Sequence, residues 1–249
     1  MKKLLSLVLA TMMLFSITAA FATTINMGTN ASFPPYEFIG ENGEVEGIDV
    51  DIAKAICDKL GYTLNVVDME FDSLIPSLQS GKIDVAMAGM TVTEERATLV
   101  NFSDSYATGI QSVIVKNDSP ITSVDDLFVE GNNYDIGVQL STTGDIYSTG
   151  DLEDAGLAKI HRFPTGNEAT QALVNGKIDA VIIDNEPAKA YVASLKGLKV
   201  LDTEYTIENY AAAINKDNAE FLAEFNGALK ALIEDGTVKT IVEKYISSK

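Results

Sequence analysis

The chain has 249 residues, and its 36 acidic against 18 basic residues give a formal net charge of −18 at pH 7. A field of this sign repels nucleic acid and anionic lipid, so neither is expected as a partner. The single cysteine, Cys57, excludes an internal disulfide, and the hydrophobic content of 46% is ample for a core held together by apolar burial.

The N-terminus carries the three-part pattern of a secretory signal. Lys2 and Lys3 precede an apolar run over 4–17, and the small-residue site Ala20-Phe21-Ala22 follows that run. The apolar run is shorter than the roughly 20 residues that an ordinary membrane span needs. A lipid anchor would require a cysteine at the cleavage point, and none lies there. We therefore expect a signal peptide at 1–22, cleavage after Ala22 and a soluble periplasmic product.

The remaining sequence alternates strand-like and helix-like segments along its length. Runs rich in β-branched residues predict strands at 24–30, 63–69, 84–89, 134–140 and 179–184. Apolar residues at helical spacing predict helices at 47–61 and 71–81, and a helical tail over 218–246 that breaks near Gly236. This alternation predicts an α/β fold with largely parallel sheets flanked by helices.

One segment of the sequence occurs twice. LQSGKIDVAMAG at 78–89 returns as LVNGKIDAVIID at 173–184. Each copy reads as the end of a helix, a Gly-Lys turn and an apolar strand. The repeat predicts two similar α/β lobes; the alternative is a chance likeness between two ordinary helix-turn-strand units.

Two further strand-like segments flank the second copy of the repeat. They are GIQSVIVKN at 109–117 and NYAAAIN at 209–215, and both look like crossings between the lobes. The first lobe is then expected at 23–112 and 209–249, and the second lobe at 113–208. Two crossings restrict the lobes to a hinge motion, which suits closure around a ligand.

Charged and small residues follow the predicted strands at the points where ligands bind in open α/β sheets. The repeat brings Gly89 and Asp184 to equivalent places in opposite lobes. Arg96, five residues after Thr91, offers a forked and permanently charged donor for a carboxylate. Arg96 and Asp184 together would match the two charges of a zwitterion. Taken singly, Arg96 reads as a surface helix residue and Asp184 as a helix cap.

Two other groups of residues have both a binding and a structural interpretation. The turn at 141–144 follows a strand and can begin a helix whose free N–H groups bind a carboxylate, or it can be a plain N-cap. Phe33, Tyr36 and Phe71 can line a side-chain pocket or fill the core of a lobe. The sequence leaves both alternatives open.

Six stretches together resemble a known family. They are FPPYEF (33–38), GIDVDIAKAI (47–56), LIPSLQSGKIDVAMAGMTVTEER (74–96), NFSDSY (101–106), GKIDAVIID (176–184) and EDGTVKTIVEKY (234–245). They are similar to the polar-amino-acid substrate-binding proteins of ABC importers, the bacterial extracellular solute-binding family 3. The resemblance implies a two-lobed periplasmic-binding-protein fold of type II. It also implies a monomer without cofactor or metal that captures a polar L-amino acid and delivers it to a membrane permease.

The resemblance also implies roles for individual residues. Arg96 and the backbone of Thr91 and Thr143 would hold the α-carboxylate of the ligand. Asp184, the Gly89 carbonyl and the Thr91 hydroxyl would hold its α-ammonium group.

The remaining candidate residues concern the side chain of the ligand. In the family, aromatic or apolar residues at the positions of Phe33 and Phe71 sandwich that side chain, and Thr142 adjoins the carboxylate-binding turn. Asn30 stands where several binders of cationic amino acids and of glutamine carry Asp, so we expect a polar uncharged ligand such as glutamine ahead of a cationic one. Arginine or lysine is the runner-up, because aromatic rings attract cations and Glu37 lies near in sequence.

Two other functions compete with amino-acid capture. A few exported dehydratases resemble this fold, but the only histidine, His161, cannot complete a triad at the predicted site, and no Cys/His cluster has metal-ligand spacing. Glu186 near Asp184 reads as a helix-start acid rather than a catalytic one. A sensory module is the other rival, and the sequence up to Lys249 shows no transmembrane or signalling segment after the leader. We therefore expect a binding protein and not an enzyme.

Overall fold

The computed structural model describes residues 23–246, which form two larger sheets covered by helices and one small sheet of three strands. The predicted signal peptide at 1–22 and its cleavage point lie outside these residues. None of the helices among the described residues is long and apolar enough to cross a membrane.

The strands, in chain order, are β1 (Thr24–Thr29), β2 (Ser32–Phe33), β3 (Glu37–Ile39), β4 (Val45–Glu46), β5 (Thr63–Asp68), β6 (Val85–Ala86), β7 (Asn101–Phe102), β8 (Ala107–Lys116), β9 (Tyr134–Gln139), β10 (Ala158–Phe163), β11 (Ala180–Asp184), β12 (Leu198–Val200), β13 (Thr206–Tyr210) and β14 (Ala213–Ile214). The α-helices are α1 (Ile48–Leu60), α2 (Leu74–Gln79), α3 (Glu94–Leu99), α4 (Thr143–Ser148), α5 (Gly166–Val174), α6 (Asn185–Ser194), α7 (Ala219–Glu234) and α8 (Thr237–Tyr245). Short 3-10 or π turns lie at Phe71–Ser73, Val124–Phe128 and Thr149–Glu153.

Each larger sheet has a parallel centre and antiparallel strands beside it. The first has the order β5-β1-β6-β14-β7, with β1 parallel to β5 and β6 and with β14 antiparallel to its neighbours. The second has the order β10-β9-β11-β8-β12, with β9 parallel to β10 and β11 and with β8 antiparallel to β11. The α/β architecture is as expected, but the sheets are mixed rather than largely parallel, because the strands that connect the lobes join both sheets in reverse direction.

The chain passes between the two sheets twice, along β8 and β13. These strands pair antiparallel, from Ala107 opposite Tyr210 to Gln111 opposite Thr206. After β13 the chain returns to the first sheet as β14. The predicted lobe boundaries at 112/113 and 208/209 fall within β8 and β13, and their positions stay predictions.

The two copies of the repeat make the same contacts in both lobes. Asp84 receives a hydrogen bond from the backbone N–H of Asn26 at 2.7 Å, and Asp179 receives one from the backbone N–H of Asp135 at 2.9 Å. The N–H groups of Asp84 and Asp179 in turn donate to the carbonyls of Asn26 and Asp135. The equivalent aspartate of each copy thus fixes the start of the repeated strand against a neighbouring parallel strand. This shared contact argues against a chance likeness.

Apolar burial holds the helices against the sheets. Helix α1 buries Ile48, Ile52 and Ile56, each with at most 1% of its surface exposed, and it ends at Gly61 in the left-handed conformation. The predicted break in the C-terminal helix occurs at Gly236, with a φ of 83°, between α7 and α8. These helices back the first sheet and hold its strand ends in place.

Candidate functional site

A pocket lies where the carboxyl ends of the two sheets face each other. It is lined by Asn30, Phe33, Glu37, Phe71, Ala88, Gly89, Thr91, Arg96, Gln139, Thr142, Thr143, Ile183 and Asp184. The set contains every residue to which the family resemblance assigns a ligand contact. Their contacts with a ligand stay predictions.

The strand ends explain why these residues meet. Asn30 follows β1, Gly89 follows β6, and Gln139 and Asp184 end β9 and β11. The carboxyl ends of parallel strands lie at one edge of a sheet, and each lobe turns that edge toward the other.

Arg96 is a buried cation that touches both lobes. Thr93 is the N-cap of helix α3, and its hydroxyl accepts the backbone N–H of Arg96. This bond fixes the start of the helix that carries the Arg96 side chain. Nη1 donates to the Thr91 carbonyl and Nη2 to the Ser141 carbonyl, both at 2.9 Å. Only 5% of Arg96 is exposed, and among residues 23–246 no carboxylate forms an ion pair with it. Burial lowers the pKa of Arg96 while the charge of Glu208 raises it.

Asp184 supplies the opposite charge from the second lobe. It is 6% exposed, its Oδ1 accepts the hydroxyl of Tyr210, and its Oδ2 accepts Gln111 Nε2 at 2.7 Å. Burial, and after it the charge of Glu208, raises the pKa of Asp184 to about 7, although the bonds from Tyr210 and Gln111 oppose the rise. A cation beside Asp184 would favour its charged form.

The turn at Gly89 requires glycine. Its φ is 54°, and a Cβ at this position would lie 2.7 Å from Cε1 of Phe33. Its N–H donates to Asp49 Oδ2 at 2.8 Å. The backbone of the first lobe can therefore approach the pocket closely, next to Thr91, which is 4% exposed.

The turn at the start of α4 combines the two alternatives that the sequence left open. Thr142 caps the helix by accepting the Asp145 N–H at 3.4 Å, and its hydroxyl donates to the Gln139 carbonyl at 2.8 Å. Thr142 and Thr143 nevertheless line the pocket, and the first N–H groups of a helix have no intrahelical acceptor. Capping and carboxylate binding are compatible at this turn.

Two amide side chains of the pocket lining, Asn30 and Gln139, bind each other. Asn30 Nδ2 donates to the Met69 carbonyl at 3.0 Å, and its Oδ1 accepts Ser32 Oγ at 2.8 Å and Gln139 Nε2 at 2.9 Å. Gln139 lies in the second lobe, so this bond crosses the cleft. The ring of Phe71 lies 5.2 Å from the Arg96 guanidinium, so one of its faces is already occupied.

Sequence reasoning missed several residues around the pocket. Gln139, Ala88 and Ile183 lie at the strand ends already identified, but uncharged residues there give no signal of binding. Gln111, which is fully buried on β8, donates to both Asp184 and Glu208 and was not anticipated.

Other candidates have structural roles. Tyr36 is absent from the pocket lining and packs edge-on against Tyr210, with the ring centroids 5.1 Å apart. His161 pairs with Asp135 at 2.8 Å, and Glu186 pairs with Lys189. Within 23–246 no three His, Cys, Asp or Glu side chains are grouped to hold a metal ion.

Comparisons with known proteins agree on one family. Residues 25–248 match the family model of bacterial extracellular solute-binding proteins, family 3. The L-arginine-binding protein of Pseudomonas aeruginosa is 32% identical, over 99% of this chain and 97% of its own.

Solved structures extend the likeness to the fold. An ancestral arginine-binding protein bound to glutamine is 41% identical with a TM-score of 0.84, and covers 92% of this chain and 100% of its own. An ancestral arginine-binding protein bound to arginine is 44% identical with a TM-score of 0.83, and covers 90% of this chain and 98% of its own. The chain has the two-lobed fold of these proteins and belongs to the bacterial extracellular solute-binding proteins, family 3.

Proposed function

We propose that this protein binds a free L-amino acid between its lobes and delivers it to the permease of an ABC importer. The observation that carries the proposal is the pair Arg96 and Asp184. Two oppositely charged side chains, each at most 6% exposed, line one pocket from different lobes. Buried charges are costly unless they are paired, and the carboxylate and ammonium of an amino acid supply both partners.

The head group of the ligand fits the remaining donors and acceptors of the pocket. Arg96 uses one N–H of each Nη for a carbonyl, which leaves further N–H groups of its fork for the carboxylate, together with the N–H groups of Thr91 and Thr143. Asp184, the Gly89 carbonyl and the Thr91 hydroxyl would accept from the ammonium. In this assignment each charge of the ligand contacts groups of both lobes.

For the side chain, we propose arginine ahead of glutamine, the reverse of the order expected from Asn30. Asp49, Asp184 and Glu208 are buried acids beside the pocket, whereas Arg96 is the only buried Lys or Arg among the described residues. This surplus of negative charge favours a ligand with a net positive charge. The aromatic walls Phe33 and Phe71 suit a planar guanidinium as well as an amide.

The test is a binding screen on ligand-free protein. The mature chain is unfolded in guanidinium chloride, dialysed, refolded and titrated calorimetrically with each of the twenty amino acids. We expect one-to-one binding of arginine and at least tenfold weaker binding of glutamine. Titration with lysine tests whether a cation that is not planar also binds. Binding of none of the twenty would refute the function, and tighter binding of glutamine would reverse the proposed order only.

The finer points of this function have separate tests. We expect export with cleavage after Ala22, which N-terminal sequencing of periplasmic protein checks. We expect a monomer with and without ligand, which light scattering on a sizing column checks. We expect no turnover of prephenate or arogenate, and measurable turnover would establish the enzymatic alternative.

A further inference from the structure

An acidic side chain holds the Gly89 turn by its N–H group. Asp49, in the first turn of α1, is fully buried, and its Oδ2 accepts the Gly89 N–H at 2.8 Å and the Tyr106 hydroxyl at 2.6 Å. Its own N–H donates to the Tyr36 carbonyl at 3.0 Å, so the start of α1 is tied to the segment that leads into β3. Asp49 belongs to the stretch GIDVDIAKAI, and it has no role in the head-group contacts above.

A second buried acid, Glu37, follows Tyr36, whose carbonyl accepts the Asp49 N–H, and it also lines the pocket. Both oxygens of Glu37 and the Oδ1 of Asp49 have no N–H or O–H donor among the described residues. Two ionised carboxylates would repel each other there, whereas one proton between them removes the repulsion and gives both carboxyl groups a partner.

The surroundings decide which acid carries that proton. Burial, and then the charge of Asp49, raises the pKa of Glu37 well above its ordinary value. Burial raises the pKa of Asp49 only to about 6, because bonds from Tyr106 and Gly89 favour its charged form. The other titratable groups that act on the pair are acids and tyrosines, namely Tyr36, Asp68, Tyr106, Asp184 and Tyr191. At neutral pH Glu37 is therefore the neutral member and Asp49 the charged one.

We propose that Asp49 and Glu37, joined by one proton, are positioning residues for the ammonium subsite. Charged Asp49 holds the Gly89 turn so that its carbonyl meets the ammonium group of the ligand, and neutral Glu37 holds Asp49. The proposal rests on the proposed amino-acid function. It assigns to FPPYEF and GIDVDIAKAI a role that neither stretch reveals alone.

The first experiment separates positioning from general damage by changing the ligand. Asp49→Ala is compared with Asp51→Ala, which removes a partly exposed acid from the same helix turn. Dissociation constants are measured for L-arginine and for 5-guanidinopentanoate, which lacks only the ammonium group. We expect Asp49→Ala to weaken arginine at least tenfold and to lower the preference for arginine over 5-guanidinopentanoate at least fivefold, while Asp51→Ala keeps that preference. An unchanged preference in Asp49→Ala overturns the proposal.

The second experiment tests the shared proton and does not require that Asp49→Ala folds. Glu37→Gln keeps an N–H donor for Asp49 and cannot ionise, whereas Glu37→Leu offers no donor. We expect Glu37→Gln to bind arginine at least fivefold more tightly than Glu37→Leu. Equal binding by the two variants overturns the role of the proton.

The pH profile of unfolding gives a readout that a merely structural side chain would not change. Above about pH 4.5 the unfolded chain has lost the Glu37 proton and the folded protein has kept it, so this group makes the unfolding constant rise about tenfold per pH unit. Between pH 5 and 7 the unfolding constant of Glu37→Gln should therefore lack this tenfold rise per pH unit, in comparison with the unaltered protein. An identical slope in both proteins contradicts the proposal, even if no amino acid binds and the proposed function fails.

Discussion

Replacing Arg96 with methionine should weaken ligand binding at least a hundredfold while changing the stability of the free protein much less. Methionine fills a similar volume without charge, so the substitution Arg96→Met removes the fork and not the packing. In the free protein two effects oppose each other. The Thr91 and Ser141 carbonyls lose charged hydrogen bonds worth about 1.5 to 3 kcal/mol each, and the cost of keeping a cation 5% exposed, several kcal/mol, disappears.

The ligand does not benefit from this compensation. Its carboxylate would enter a buried site without a counter-ion, and such a loss costs ~3 to 5 kcal/mol. At about 1.4 kcal/mol per factor of ten, affinity falls by two to three and a half orders of magnitude. The free energy of unfolding without ligand should stay within about 2 kcal/mol of the unaltered protein, because the two opposing terms are of similar size.

The assay needs both quantities from the same preparations. Calorimetry gives the affinity for arginine, and urea denaturation gives the free energy of unfolding of ligand-free protein. Lys244→Met is the matched control, because it removes the positive charge of an exposed α8 side chain that pairs with Asp51 of α1. Arg96→Lys keeps the charge without the fork and should lose only one charged hydrogen bond, about 1.5 to 3 kcal/mol of affinity.

Two results would refute this reasoning. If Arg96→Met binds arginine within tenfold of the unaltered protein, the carboxylate does not bind at Arg96. If Arg96→Met loses as much stability as affinity, Arg96 holds the lobes together and the loss of binding is indirect.

Three further substitutions or conditions have defined outcomes. The pKa of Asp184 is about 7 without ligand, and the ammonium group of a ligand lowers it, so protonation of Asp184 competes with binding. The dissociation constant should therefore rise about tenfold per pH unit below pH 6. A constant value from pH 8 to 5 in calorimetry contradicts this. Gly89→Ala should cost about 1 to 2 kcal/mol of unfolding free energy for its φ of 54° and should weaken binding by displacing Phe33, which urea denaturation and titration measure. Asn30→Asp should raise the preference for arginine over glutamine. It also places an oxygen opposite the Met69 carbonyl, so we expect lower stability as well. An unchanged preference would show that residue 30 does not contact the side chain of the ligand.

The part of the site that could be predicted follows from local rules. Arg96 and Asp184 were predictable because charged residues followed strands whose ends a repeat had already related, and parallel strands present their carboxyl ends at one edge. Gly89 was predictable for the same reason. None of these predictions required knowledge of which distant segments pair.

The part that could not be predicted depends on long-range packing. The sequence suggested Glu37 only as an acid near a cationic ligand and gave no sign of Glu208 or of the burial of either side chain. They are buried because β3 packs on α1 and because β13 pairs with β8. Gln111 becomes informative only when it is seen between two carboxylates. The mixed direction of the sheets was also hidden, because a strand's sequence does not tell which neighbour it joins.

Hydrogen bonds between the two lobes surround the pocket. Arg96 of the first lobe reaches the Ser141 carbonyl, Gln139 of the second lobe reaches Asn30, and Tyr191 donates to the Ser32 carbonyl, so polar bonds cross the cleft around the pocket. A ligand shifts a conformational equilibrium only by its difference in affinity between the two states. In the proposed arrangement each charge of the ligand meets both lobes: the carboxylate meets Arg96 and Thr143, and the ammonium meets Gly89 and Asp184. Only the closed form would then offer the complete set of contacts. An analogue that lacks either charge would therefore lose affinity and closure together, and it would present the permease with an open protein.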